Sequence, residues 1–315
     1  MEYKTISQLR LGDVAYGFYF IKAIECKTAS NNKKYFDLIL SDKTGTINAK
    51  IWDVSEGDEH RYYAGVVVKV KGIITEWQNQ LQCRIEKIRL TAGTDGINIE
   101  DFIPMAPCQP ELMYEEILKY VSRIKNRDVF EIVSRILNDS KDKLMFYPAA
   151  KKNHHSIRSG LLYHIMTMLK SGEKLSEIYT FINTDLLYAG IILHDIAKLD
   201  EMDANELGIV TDYTIEGNLL GHIVQGIKKI AFAAEEIGAD EEISLLLQHM
   251  ILSHHYEPEY GSPTRPQIPE AELLHYIDII DTRMFDIEKA LENIGKGDFS
   301  QRIWVLDNRR LYKAK

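Results

Sequence analysis

The first hundred residues alternate between apolar and polar positions with the period of two that β-strands favour. Turn signals rich in glycine, asparagine and lysine separate the alternating runs. A short polar segment around residues 55–63 has instead the character of a helix. The alternation predicts five strands, with that helix between the third and the fourth, at residues 14–26, 35–40, 46–52, 65–77 and 81–90.

Five strands with one small helix between the third and the fourth are typical of an OB-fold barrel. The second and third strands of such barrels, with their neighbouring loops, commonly bind single-stranded nucleic acid. Aromatic and basic side chains lie on these two predicted strands, but alternation sends every other side chain into the barrel, so the sequence leaves open which aromatics face a ligand. The candidate substrate-binding residues here are Tyr35, Trp52, Lys34 and Lys50.

Glycines and prolines interrupt the pattern between residues 93 and 112, which predicts a linker. Apolar residues then recur every three or four positions, beginning with Met113, Ile117 and Val121, as they do on amphipathic α-helices. These patterns predict two domains, an N-terminal all-β OB-fold barrel and a C-terminal all-α helical bundle. The predicted bounds are 1–92 for the barrel, 93–112 for the linker, 113–299 for the bundle and 300–315 for a strand-like extension.

The composition of the chain limits the classes of protein to which it can belong. A chain of 315 residues with 45% hydrophobic content can bury two cores. No apolar run of about twenty residues and no signal pattern is present, so we expect a cytoplasmic protein with no membrane partner. Cys26, Cys83 and Cys108 form no CxxC, which argues against a thiolate zinc site.

Charge is unevenly spread along the chain. Residues 1–100 contain 14 Lys+Arg against 13 Asp+Glu, whereas the remaining residues contain 24 against 34. The acidity therefore belongs to the helical part, where it would favour a site that gathers metal cations.

The apolar run from Ile191 to Lys198 contains a histidine and an aspartate side by side, with the lysine one helical turn later. On a helix, His194, Asp195 and Lys198 would share one edge. Histidine and aspartate are ligands for divalent cations, and a lysine can pair with phosphate oxygens. A lone His-Asp pair is weak evidence, because satisfied half-buried polar pairs are common.

Further histidines and aspartates strengthen the metal interpretation. Most of the ten histidines lie in the helical part, on or beside predicted helices. Burying imidazoles repeatedly without partners would be costly, and a shared metal accounts for them. Several imidazoles suit Mn²⁺, Co²⁺, Fe²⁺ or Ni²⁺, and the sequence leaves open whether one or two ions bind. The candidate ligands are His164, His194, Asp195, His222, His254, His255 and Asp278, with Asp281 as a competitor for Asp278.

The ordered set of His, His-Asp and Asp resembles the HD-domain phosphohydrolase superfamily. The flanking motifs are similar to those of the YhaM family of 3′-5′ exoribonucleases, in which an OB domain precedes the HD domain. The motifs that carry this resemblance are Gly160-Leu161-Leu162-Tyr163-His164, His194-Asp195-Ile196-Ala197-Lys198, Ser253-His254-His255-Tyr256 and Leu274-His275-Tyr276-Ile277-Asp278.

The resemblance implies a manganese-type cofactor and hydrolysis of single-stranded RNA, and often DNA, from the 3′ end to nucleoside 5′-monophosphates. It implies that four residues form the HD core and that three histidines complete a second metal site. The resemblance also favours Asp278 over Asp281 as the metal ligand. The implied core is His164, His194, Asp195 and Asp278, and the additional ligands are His222, His254 and His255.

The catalytic candidates are Asp195 and Lys198, with Asp195 bridging two cations that activate a water and Lys198 offsetting charge on the phosphoryl oxygens. His154, His155 and Arg158 are candidates for guiding a phosphate, although a solvated polar loop would account for them equally well.

Two alternative functions remain open at this point. One is an HD phosphodiesterase acting on cyclic dinucleotides or free nucleotides, and the other is a non-catalytic RNA-binding adaptor. The expected partner is single-stranded RNA or DNA. The sequence leaves open whether the chain also forms a homo-oligomer.

Overall fold

The structure is a computed structural model that describes residues 3–29, 32–52, 54, 57, 61–78, 80–151, 155–292 and 294–315, with the backbone alone at 99–100. The chain divides into two compact units, Met1–Met105 and Ala106–Lys315. Among the helices of the described ranges, none combines the length and apolar character that crossing a bilayer demands.

The first unit is a closed five-stranded barrel with the strand order β1-β2-β3-β5-β4. Strands β3 and β5 pair in parallel, and the other neighbours are antiparallel. This confirms the OB-fold barrel predicted from the alternation. The strands are Val14–Thr28 (β1), Lys34–Asp42 (β2), Gly45–Trp52 (β3), Val67–Trp77 (β4) and Gln80–Leu90 (β5).

Alternation decides which side chains fill the barrel. On β2, Phe36, Leu38 and Leu40 are buried in the barrel core, whereas Tyr35 lies on the opposite face. The helix predicted around residues 55–63 falls largely outside the described residues.

The predicted linker is divided between the two units. Single 3₁₀ turns at Gly93–Asp95 and Ile99–Phe102 follow β5, and Phe102 and Ile103 are buried. Arg89 of β5 donates two hydrogen bonds, of 2.7 and 2.8 Å, to the carboxylate of Asp95. The part of the segment up to and including Met105 belongs to the barrel unit.

The second unit is built of helices, which confirms the predicted helical bundle, and it also contains a two-stranded hairpin that the sequence did not predict. The hairpin strands are Met202–Ala204 (β6) and Val210–Tyr213 (β7). The helices are Pro110–Val121 (α1), Arg127–Leu144 (α2), Gly160–Ile178 (α3), Thr184–Leu193 (α4), Lys198–Glu201 (α5), Ile215–Ile237 (α6), Glu241–Ser253 (α7) and Pro269–Glu292 (α8).

Helix α4 lies at the centre of this unit. Every residue from Leu186 to Leu193 is buried, as expected for a helix that is apolar on all sides. Gly190 permits the close packing, because an added Cβ would overlap the side chain of Met250. The Asn183 side chain caps the helix by accepting from the backbone N–H of Asp185.

The C-terminal segment is less regular than the strand-like extension predicted for it. It contains two isolated bridges, Phe299 to Tyr312 and Ile303 to Arg309, around a 3₁₀ turn at Trp304–Leu306. The segment contacts α8, where Arg283 pairs with Asp307 at 2.6 Å.

Candidate metal centre

Helix α4 ends where the His-Asp pair begins. The helix closes at Leu193, and a turn carries His194 and Asp195 before α5 starts at Lys198. The single continuous helix assumed from the sequence is therefore wrong. The turn still brings Nζ of Lys198 within 2.6 Å of Oδ2 of Asp195. Because α4 is buried, the pair lies in the interior, and the relative exposure is 0% for His194 and 3% for Asp195.

One group of predicted ligands faces Oδ2 of Asp195. The ligand atoms of His164, His194 and Asp278 lie within 4.8 Å of one another. Nε2 of His164 is 3.3 Å from Oδ1 of Asp278. Oδ2 of Asp195 is 3.4 Å from Nε2 of His194 and 4.0 Å from Nε2 of His164.

A second group surrounds the other oxygen of the same aspartate. The ligand atoms of Asp195, His222, His254 and His255 also lie within 4.8 Å of one another. Oδ1 of Asp195 is 3.4 Å from Nε2 of His222 and 3.9 Å from Nε2 of His254. The two oxygens of one carboxylate therefore face two separate groups, which is the arrangement of a bridging ligand.

The buried polar atoms of both groups fit divalent cations. Among the described residues, Nε2 of His194, His222 and His254 and Oδ1 of Asp195 are buried with no hydrogen-bond partner. Each such atom costs roughly 1–3 kcal/mol if nothing satisfies it. Imidazole and carboxylate together are the donors that Mn²⁺, Fe²⁺, Co²⁺, Ni²⁺ and Zn²⁺ accept. A divalent cation in each group would satisfy all four atoms.

The other ring nitrogen of most of these histidines is held by a protein oxygen. An Nδ1–H donor at each of these contacts leaves Nε2 as the free ligand atom. The contacts are His194 to the Ile191 carbonyl at 2.9 Å, His254 to the Ile251 carbonyl at 2.7 Å, His255 to the Tyr260 carbonyl at 2.6 Å and His222 to the Glu201 carboxylate at 3.1 Å.

Asp281 performs the same task for His164. Its Oδ2 is 2.8 Å from Nδ1 of His164 and also 2.8 Å from Nε2 of His155. These three residues could be taken for a third metal group, since their ligand atoms lie within 4.8 Å of one another. We interpret them as a hydrogen-bonded support, because two short hydrogen bonds already use the carboxylate. Asp278 lies instead on the Nε2 side of His164, where a metal would bind. This position supports the prediction that Asp278, rather than Asp281, is the ligand.

The structure corrects the role predicted for His155. Its side chain is 1% exposed and packs on Phe285 with ring centroids 4.0 Å apart, so it cannot guide a phosphate from solvent. His154 lies outside the described residues. Arg158 is half-buried, and its carbonyl accepts a hydrogen bond of 3.0 Å from the N–H of Ala106.

The charged and titratable side chains of the centre shift one another's pKa values. Burial alone would lower the pKa of Lys198, but attraction to Asp195 outweighs it and holds the pKa above its usual value. Burial would likewise raise the pKa of Asp195, yet Lys198 and His194 hold it well below the usual range. Burial and the neighbouring imidazole of His255 keep the pKa of His254 low, so its ring stays neutral and able to bind a metal.

A cleft of about 580 Å³ opens onto this centre. Lys198, His222 and Glu201 line the cleft together with Lys151 and Tyr213. The sequence patterns did not single out Tyr213 or Glu201, because neither residue belongs to a ligand motif.

In the barrel unit, the structure brings three of the four predicted substrate-binding residues together. Tyr35 and Trp52 are register partners on β2 and β3, and their rings stack with centroids 4.7 Å apart. Trp52 is 47% exposed. Nζ of Lys50 lies 5.1 Å from the Tyr35 ring and 3.1 Å from Oδ1 of Asp37. Lys34 is exposed at the start of β2.

Family models match both units. The HD domain model matches residues 161–283, and the model of the OB-fold nucleic acid binding domain matches residues 21–91. Fold and site together define a metal-dependent phosphohydrolase of the HD class that carries an OB-fold domain.

Two curated relatives match almost the whole chain. A 3′-5′ exoribonuclease YhaM from Geobacillus sp. (strain WCH70) is 42% identical over 310 residues, which cover 98% of this chain and 95% of the relative. The corresponding protein of Shouchella clausii (strain KSM-K16) is also 42% identical, with 98% and 96% covered. The chain therefore belongs to the YhaM family of 3′-5′ exoribonucleases.

Among solved structures, the second OB-fold domain of replication protein A from Methanococcus maripaludis matches 29% of this chain and 94% of that chain. It is 22% identical with a TM-score of 0.24, a likeness that supports no inference about function.

Proposed function

We propose that this protein is a metal-dependent 3′-5′ exoribonuclease that hydrolyses single-stranded RNA to nucleoside 5′-monophosphates. The observation that carries the proposal is the placement of Asp195 between two groups of buried and half-buried histidines and aspartates, beside the ammonium of Lys198. Membership of the YhaM family supports the direction of hydrolysis and the substrate class.

We infer that Asp195 is shared by two divalent cations, one held with His164, His194 and Asp278 and the other with His222, His254 and His255. When bound, such cations polarise a phosphoryl oxygen and make hydroxide available from water near neutral pH. The imidazole-rich donor set favours Mn²⁺, with Co²⁺, Fe²⁺ and Ni²⁺ as alternatives, over the oxygen-preferring Mg²⁺.

Lys198 acts on the substrate in this proposal. Its ammonium is kept charged by Asp195 and lines the cleft, so it can offset the negative charge that gathers on the phosphoryl oxygens during displacement. An ammonium cannot bind a metal, which separates its role from that of the histidines.

We further propose that the barrel captures the single strand through the Tyr35–Trp52 stack, with DNA as a second possible ligand. Stacking of a base on an exposed aromatic contributes roughly 1–3 kcal/mol and tolerates any sequence. Lys50 can leave its ion pair with Asp37 and bind a phosphate of the strand instead. Lys34 directly precedes Tyr35 in the sequence. The cytoplasmic location expected from the sequence remains a proposal.

The test is a digestion of 5′-labelled single-stranded RNA with Mn²⁺. We expect products that shorten stepwise from the 3′ end, release of nucleoside 5′-monophosphates, and no reaction with excess EDTA. A bulky 3′ block or a duplexed 3′ end should stall the enzyme.

Cleavage of circular RNA would contradict exonuclease action. Hydrolysis of a cyclic dinucleotide or a free nucleotide in place of RNA would favour the other HD activities. Binding of RNA without any cleavage would favour the adaptor function.

A further inference from the structure

The cleft beside the metal centre has an aromatic and a cation on its walls. It extends from Lys198 and His222 to Lys151 and to Tyr213, the last residue of β7. Its volume of about 580 Å³ lies within the range of about 300–1,000 Å³ that holds one small ligand. A space of this size suits one nucleotide at a time.

Tyr213 is held firmly relative to the metal centre. It pairs across the hairpin with Met202, and the next residue, Thr214, donates its backbone N–H to the Glu201 carbonyl at 3.0 Å. The carboxylate of Glu201 accepts a hydrogen bond of 3.0 Å from the backbone N–H of His222. The backbone at Tyr213 is therefore linked through a few short contacts to helix α6, which carries the predicted ligand His222.

The ring of Tyr213 is available to a ligand. Tyr213 is 40% exposed, and Nζ of Lys151 lies 5.4 Å from its ring centroid. Lys151 also pairs with Asp212 at 3.3 Å, but the Asp212 side chain is 80% exposed, and such surface pairs contribute little. A phosphate entering the cleft can replace Asp212 as the partner of Lys151.

We propose that this cleft binds the 3′-terminal nucleotide of the RNA, with its base stacked on Tyr213 and a phosphate paired with Lys151. The inference rests on the proposed exoribonuclease function and assigns the residues that hold the end of the strand. Ala149, Ala150 and Met202 give the cleft an apolar wall that suits the flat faces of a base. Stacking makes no base-specific hydrogen bond, so all four bases are accepted.

The experiment compares two RNAs that differ only at the 3′-terminal residue, which is either an ordinary nucleotide or an abasic one. Values of kcat/KM are measured for the wild type, Tyr213→Leu and Tyr213→Phe. We expect the wild type and Tyr213→Phe to prefer the ordinary end by about 5- to 150-fold, the equivalent of one stacked base. Tyr213→Leu should lose most of that preference.

A matched control is Tyr179→Leu. Tyr179 is 46% exposed, similar to Tyr213, but it lies at the end of α3 and does not line the cleft. This variant should keep the wild-type preference. Melting curves and bound metal per chain establish that each variant is folded and loaded.

Lys151→Met tests the phosphate contact separately. It should lower kcat/KM on both RNAs by the same factor, about 10- to 150-fold for a lost charged hydrogen bond, and Lys151→Arg should restore most of the loss. A uniform loss that arginine rescues indicates a phosphate contact, whereas a loss confined to the ordinary end would contradict this assignment.

The outcomes separate the inference from the function on which it rests. A wild type that hydrolyses both RNAs equally well, or a folded Tyr213→Leu that keeps the full preference, overturns the inference and leaves the exoribonuclease function intact. A metal-loaded wild type that hydrolyses neither RNA overturns both.

Discussion

Asp281 offers the sharpest test of how the metal centre is supported. One of its oxygens accepts hydrogen bonds of 2.8 Å from both His164 and His155. The substitution Asp281→Asn keeps the shape of the side chain and removes its charge. Both contacts then lose the ionic component that makes hydrogen bonds to carboxylates about twice as strong as neutral ones.

The expected magnitude follows from the role of His164. Its Nδ1 contact with Asp281 orients the ring and makes Nε2 a better donor to a cation. Loss of such a supporting partner typically lowers metal affinity about 10- to 100-fold, which corresponds to about 1.4–2.7 kcal/mol. We expect Asp281→Asn to fall in this range, with a smaller effect on the affinity of a second ion.

The assay is a titration of metal-free protein with Mn²⁺ in competition with a fluorescent chelator. Asp286→Asn is the matched control, because Asp286 is a half-buried carboxylate on the same helix, α8. It should leave metal affinity unchanged. An affinity of folded Asp281→Asn within about twofold of the wild type would show that the contact with His164 does not tune the metal site.

Other substitutions test separate parts of the molecule. Asp195→Asn should abolish RNA hydrolysis in a folded protein; residual activity above a few per cent would contradict its bridging role. Lys198→Met should lower turnover by about 10²–10³-fold with metal per chain unchanged, and metal loss would indicate a structural role. Trp52→Ala should raise the Kd for single-stranded RNA by about 5- to 150-fold in a filter-binding assay, and unchanged binding would exclude stacking. Gly190→Ala should destabilise the helical unit by about 1–2 kcal/mol in chemical denaturation, because the added methyl overlaps the buried end of Met250 and the better helix propensity of alanine offsets part of that cost; an unchanged midpoint would show that the core can adjust.

Local sequence patterns were sufficient to predict the strands of the barrel and most of the candidate metal ligands. The period-two alternation that contains Phe36, Leu38 and Leu40 is sufficient to predict a strand, because side chains on a strand must alternate between its faces. The five predicted strands therefore formed the barrel. The ordered His and Asp residues were similarly recognisable, since ligand type depends on the side chain alone and the set lies on successive helices or on the turns that follow them.

The tertiary structure gave separate roles to two aspartates whose chemistry is identical, where helical spacing alone could not separate them and the family resemblance only favoured one. Asp278 and Asp281 are three positions apart on one helix, so helical geometry places both on the same face. Packing of α8 against α3 decides that Asp278 meets Nε2 of His164 and that Asp281 meets Nδ1. The same packing buries His155 behind the centre, where its sequence context had suggested a solvent-facing role.

Tyr213 shows the limit of sequence patterns most clearly. It lies on a short hairpin whose four-residue second strand shows no clear alternation, with the burial pattern of one half-buried and three exposed residues. Its place in the cleft depends on the pairing with Met202 and on the contact of Thr214 with Glu201, both formed between residues that are not neighbours along the chain. Periodicity describes one element at a time, whereas the surroundings of a side chain depend on which elements pack together.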